Sequence, residues 1–210
     1  MEGVCSAGKE QSSVFRVRRM APGPCSRDWR IGVLVVAFAA VLLAGGVGRS
    51  FAPLPDNVRL IRDVEYARVG TISLKLDLYE PKNPIVRPAP AVIWIHGGGW
   101  RRGNKFPAPL AAQLAAEGFF AVSINYRLSG DARFPAAVHD SKCAVRWLRA
   151  NAAQFGVDPD RIGVAGASAG GHLALMVGLT AETDGLEPDF CLPGVPTRVQ
   201  AVLSYFGPTN

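Results

Sequence analysis

The chain has 210 residues, of which 49% are hydrophobic and 19% charged, a balance that suits one globular domain with a real core. The formal net charge of +6 is uneven, because residues 1–30 hold six basic side chains (Lys9, Arg16, Arg18, Arg19, Arg27, Arg30) against three acidic ones (Glu2, Glu10, Asp28). No basic block follows, which argues against nucleic acid as a partner.

Residues 1–30 lack periodicity and read as a basic, disordered N-terminus. Residues 31–48 follow with an uncharged run, Ile31 to Val47, preceded by arginines and closed by Ala44, Gly45, Gly46 and Gly48. That arrangement predicts a secretory signal or an N-terminal membrane anchor; its length is borderline between the two. The other reading, a buried core helix, is opposed by the flanking arginines and by Pro53-Leu54-Pro55. The expected location is therefore secreted or membrane-anchored, with the folded part outside the cytoplasm. Residues 49–57 read as a linker, and residues 58–210 as the folded portion.

Within that portion, Arg59 to Val69 and Thr71 to Tyr79 alternate apolar and polar residues around Gly70. Ile72, Leu74, Leu76 and Leu78 share one face, so an antiparallel, half-exposed hairpin is expected. The Pro-rich stretch Pro81 to Pro90 is a loop. Ala91 to Ile95 is a continuous apolar run, as in a strand buried on both faces. A helix at Pro109 to Glu117, a strand at Phe119 to Tyr126 and one long amphipathic helix within Phe134 to Phe155 follow. Arg161 to Ala165 and Val199 to Tyr205 complete the buried strands, with a loop rich in acidic residues and proline at Ala181 to Thr197. Strands alternating with helices predict an α/β fold: a mostly parallel sheet with helices on both faces and an N-terminal hairpin.

Cys5 and Cys25 precede the apolar run, so only Cys143 and Cys191 reach the folded part. No CxxC or metal-ligand spacing is present, and no metal or cofactor is expected. A disulfide between Cys143 and Cys191 is open in an oxidising compartment; two unpaired thiols are the default reading.

Two glycine motifs carry chemistry. The strand Ile162 to Ala165 runs into Gly166-Ala167-Ser168-Ala169-Gly170, and the helix-forming run Leu173 to Val177 follows. This is the order a nucleophile elbow requires, with Ser168 at a strained φ and small residues on either side. Upstream, Ala91 to Ile95 ends in His96-Gly97-Gly98-Gly99-Trp100. Three glycines there cost chain entropy, which makes sense if their N–H groups must approach a developing oxyanion; a loop that merely bends is the alternative.

With both motifs in view, the sequence resembles the α/β-hydrolase fold, and most closely its esterase/lipase branch with an HGGG loop, the carboxylesterase or BD-FAE type. Phe134 to Asp140 and Asp158 to Ile162 are similar to segments such esterases carry before the elbow. The resemblance implies Ser168 as nucleophile and the N–H groups of Gly98, Gly99 and Ala169 as oxyanion hole. Gly97 would supply the turn, and His96 would organise the loop rather than act as base. Trp100 would wall the substrate pocket or only cap the core. The substrate would be a small-molecule ester; oligomeric state is left open, and membrane contact would run through the N-terminal segment if it is uncleaved.

One departure qualifies the match. In this fold the order is serine, then acid, then histidine. Of the three histidines, His96 and His139 precede the elbow, and His172 lies four residues after Ser168, too close to bend back. His139 is expected on the solvent side of its helix. Glu182, Asp184, Glu187 and Asp189 all lie ahead of the last strand, earlier than the family's acid. The expectation is an N-terminal portion lacking the triad acid and base. The competing readings are an arylformamidase-like hydrolase and a non-catalytic, hydrolase-like binding module.

Overall fold

The computed structural model describes residues 53–209. The N-terminal segments 1–30 and 31–48 lie outside the described residues. Among the described residues no helix is long and apolar enough to cross a membrane.

Strands β1 (Val58–Val69) and β2 (Ile72–Pro81) form the antiparallel hairpin around Gly70. Leu74, Leu76 and Leu78 are buried, as their period-two spacing demands. The half-exposed hairpin needs correction at β2, where Asp77 and Tyr79 on the opposite face are buried too. The cause is a helix, α1 (Pro109–Ala116), whose Ala111, Leu114 and Ala115 cluster with Tyr79.

Four more strands complete the sheet: β3 (Ala89–Ile95), β4 (Phe120–Ile124), β5 (Val157–Ala167) and β6 (Ala201–Tyr205). The order is β1-β2-β4-β3-β5-β6, with β2 antiparallel to both neighbours and the rest parallel. β5 begins earlier than its apolar run because Val157 pairs with Ala89. The expected buried strand at Val199 to Tyr205 is shorter and more open: β6 ends the sheet order, Ala201 is exposed, and within β6 only Tyr205 is buried.

Alternation along the central strands assigns the two layers. Ile93 and Ile95 of β3, Val122 and Ile124 of β4 and Val164 of β5 face α2 (Ala136–Ala150) and α4 (Ala169–Leu179), whose Val138, Val145, Leu148, Leu173 and Val177 join the same cluster. Val92, Trp94 and Ala121, one position out of phase, pack with α1. Helices thus cover both faces, and each fully buried aliphatic side chain contributes about 1.5–3 kcal/mol of transfer free energy. The single helix expected within 134–155 is two: α2 ends at Asn151, whose side-chain amide donates to Trp147 O at 2.8 Å. The short α3 (Ala152–Phe155) then closes on Gly156 at φ 63°.

The chain leaves β3 for β4 on one side and returns to β5 on the other. Between the carboxyl ends of β3 and β5 the loops therefore diverge to opposite faces, the position where open α/β sheets place their sites.

Candidate active site

Both glycine motifs meet at that divergence. Ile95 pairs with Gly166 in the parallel ladder, so His96 and Ala167 leave the sheet side by side. Ser168 follows at φ 54°, ψ −122°, a positive-φ conformation outside the αL basin that costs a residue with a Cβ about 1–3 kcal/mol. Its N–H donates to Tyr205 O at 2.7 Å and its carbonyl accepts from His172 N at 3.0 Å, so both strand and helix hold the turn. The side chain itself is exposed.

The flanking glycines are required by contact. A Cβ on Gly166 would overlap the carbonyl of Gly170, and one on Gly170 would overlap the carbonyl of Ile95 and lie 2.6 Å from His96 O. Gly97 touches the turn directly: a Cβ there would lie 2.8 Å from Ala167 O and 3.3 Å from Ser168 Cβ. The expectation that Gly97 supplies the turn is corrected. The bend falls on Gly98, Gly99 and Trp100, at φ 120°, 62° and 58°. Gly98 O then accepts from Arg101 N and Arg102 N, each at 3.2 Å.

Among the described residues, the amides of Gly98, Gly99 and Ala169 donate to no protein acceptor. Ala169 is the first residue of α4, where N–H groups have no intrahelical partner and the helix dipole is positive. The Ala169 N–H, one residue after Ser168, is thus an unspent donor beside the nucleophile turn, of the kind acyl transfer uses.

His96 is turned away from this chemistry. Its Nδ1 lies 2.7 Å from Gly97 O, and its ring stacks on Tyr126 at 4.4 Å. The Tyr126 hydroxyl donates to His96 O at 3.1 Å. Burial lowers the His96 pKa, which keeps the imidazole neutral and its Nδ1–H available to that carbonyl. Trp100 is half-buried; its carbonyl accepts from Ser129 N at 2.8 Å and its ring meets His172 edge-on at 5.3 Å. His139 is half-buried rather than solvent-facing, because the 181–197 loop folds back over α2. None of the three histidines hydrogen-bonds the Ser168 hydroxyl among the described residues.

Two supporting ion pairs had no sequence signal. Lys105, almost fully buried, reaches Asp77 Oδ1 at 2.7 Å and Asp63 Oδ1 at 2.8 Å, and its N–H donates to Asn125 Oδ1 at 2.7 Å. This ties the far end of the glycine loop to β2 and β4. Arg127 grips Asp140 with Nη2 to Oδ1 at 2.7 Å and Nε to Oδ2 at 3.0 Å, fixing the exit of β4 on α2.

The 181–197 loop is fastened separately. Cys143 and Cys191 form a disulfide, which corrects the default reading of two free thiols; the loop's path brings their Cα atoms within 6.0 Å. Glu187 accepts from Lys142 at 2.5 Å, Arg146 at 2.8 Å and Thr197 at 2.8 Å.

Sheet order, crossover helices and the strained strand-to-helix turn together place the molecule among the α/β-hydrolases. Within that class the BD-FAE family model matches residues 76–210, and the chain belongs to that family. It is 40% identical to Esterase LipC of Mycobacterium tuberculosis over 135 residues, 63% of this chain and 33% of the relative. It is 36% identical to the probable carboxylic ester hydrolase LipM of the same organism, over 78% of this chain and 39% of the relative. The chain thus spans a third to two fifths of the length of these curated relatives. Among solved structures, a truncated carbohydrate esterase from gut microbiota superposes with a TM-score of 0.65 at 34% identity, covering 75% of this chain and 60% of that one. A bacterial heroin esterase does so at 0.55 and 34%, covering 74% and 47%.

Proposed function

We propose that the protein is a carboxylesterase in which Ser168 attacks the ester carbonyl. The Oγ–carbon bond forms as a general base takes the hydroxyl proton, and the carbonyl oxygen becomes an oxyanion held by the N–H groups of Gly98, Gly99 and Ala169. Collapse breaks the ester C–O bond, the alcohol leaves with the proton returned by that base, and the acyl-serine is hydrolysed by water, whose proton passes through the base to free Ser168. The observation that carries this reading is the exposed Ser168 hydroxyl on a strained turn, packed against Gly97. The esterase names of the relatives support the ester as substrate class. Because the chain spans a third to two fifths of the length of its curated relatives, the test uses the full-length protein. Hydrolysis of p-nitrophenyl butyrate should fall by at least about a hundredfold in Ser168→Ala. Equal rates in the two proteins would return the fold to a non-catalytic binding module, and preference for N-formyl aryl amides would make it an arylformamidase.

We further propose that residues 31–48 export the hydrolase domain, residues 58–210, as a signal or a retained anchor. The Cys143–Cys191 disulfide supports an oxidising compartment. Fractionation that finds the protein in the cytosol would refute this.

A further inference from the structure

One strained residue beside the nucleophile turn is exposed among the described residues. Phe206 directly follows Tyr205, whose carbonyl accepts the Ser168 N–H at 2.7 Å. On its other side Gly207 lies against α4, where a Cβ would come within 2.7 Å of His172 N. Ser204 Oγ closes the contact, 2.8 Å from where a Cβ on Gly171 would sit. The segment 204–207 is therefore seated on the first turn of the elbow helix, at the carboxyl end of β6, and Phe206 is held beside the nucleophile from both sides.

Phe206 adopts φ 52°. A bulky aromatic in the left-handed region is an outlier, and such strain persists only where the surroundings impose it. Among the described residues it is 87% exposed, more than any other large hydrophobic residue. Among the described residues the position thus costs backbone strain and yields almost no burial. Other exposed apolar residues differ in place: Ile85, for example, bonds to Gly118 at the amino end of the parallel strands, away from Ser168.

We infer that Phe206 is a specificity-determining residue of the Ser168 site, an aromatic wall for the apolar portion of the ester. This rests on the esterase reading above. An aromatic face offers broad dispersion contact and no hydrogen bond, so it favours hydrocarbon over small or polar groups. The apolar portion can belong to the acyl or the alcohol side, and the two are separable by substrate series.

The test compares full-length wild type, Phe206→Ala, Phe206→Leu and Ser168→Ala. One series is p-nitrophenyl acetate against p-nitrophenyl octanoate; the other is methyl acetate against 1-naphthyl acetate. Phe206→Ala should lose about tenfold in kcat/KM for the larger member of one series relative to the smaller, and Phe206→Leu should recover most of it. The melting temperature of Phe206→Ala should hold, since among the described residues the ring has little burial to lose and the positive φ is shared by both side chains. A loss confined to the first series assigns the wall to the acyl chain, and to the second, the alcohol. Uniform change across both series, no change, or a lower melting temperature with uniform loss overturns the inference while leaving the esterase intact. A wild-type rate no higher than that of Ser168→Ala overturns both.

Discussion

The elbow and the 181–197 loop are fastened by opposite means. Around Ser168 the chain is held by what is missing: Gly97, Gly166 and Gly170 let backbone meet backbone with no room for a methyl group. Around Glu187 the chain is held by what is added, namely a disulfide, two buried cations and a threonine hydroxyl. Contact without side chains fixes a geometry sharply and tolerates nothing. Fastening with several side chains shares the load, so single losses should be graded. The contrast also fits their places, since a reacting hydroxyl needs its donors positioned within fractions of an ångström.

The largest expected effect breaks the first region. Gly170→Ala would drive a methyl group into the Ile95 and His96 carbonyls, and the elbow could not keep its shape. Activity of the full-length enzyme should fall by more than about a hundredfold, as a misplacement of about 1 Å suffices for that, alongside a lower melting temperature. Activity within a factor of a few of wild type would show that the turn can relax.

In the second region, Cys143→Ser should cost up to about 4 kcal/mol from the chain-entropy model for a 48-residue separation, read from denaturant midpoints under oxidising conditions. Because Lys142, Arg146 and Glu187 still hold the loop, ester hydrolysis should persist. Loss of activity out of proportion to stability would show that the loop acts on the site.

A smaller effect follows from Glu187. Burial works to raise its pKa, but hydrogen bonds from Lys142 and Thr197 and the charges of Lys142 and Arg146 outweigh it and hold the carboxyl below its ordinary 4.5. The unfolded chain therefore binds the proton more tightly than the folded one. The stabilisation is complete above about pH 4.5 and is lost as pH falls through the folded value. Melting temperature against pH should drop less steeply on the acid side in Glu187→Gln, and an identical slope would remove Glu187 from the fastening.

The smallest effect repeats the glycine substitution where space is free. Gly185 sits at φ 70° with nothing within 4 Å of a built Cβ. Gly185→Ala should therefore cost only the left-handed strain of about 1 kcal/mol, with activity unchanged. A cost equal to that of Gly170→Ala would mean that strain, and not close contact, governs both.

The elements were legible because their signals are local. Period two in β2, the apolar run of β3 and the strand-turn-helix order around Ser168 are properties of short stretches. Errors gathered where a neighbour in space decided the outcome. The outer face of β2 looked open until α1 covered Tyr79 and Lys105 met Asp77, and His139 looked solvent-facing until the 181–197 loop folded over α2. Lys105 carried no sign that Asp63 and Asp77 would surround it.

Sequence alone determined that a serine would sit on a strained turn beside a run of glycines, because steric exclusion of Cβ atoms is written residue by residue. Only the tertiary structure decided which residues support that turn and whether Cys143 would find Cys191. Those pairings depend on how distant segments cross the sheet, and a charge or a thiol has no periodic pattern that names its partner.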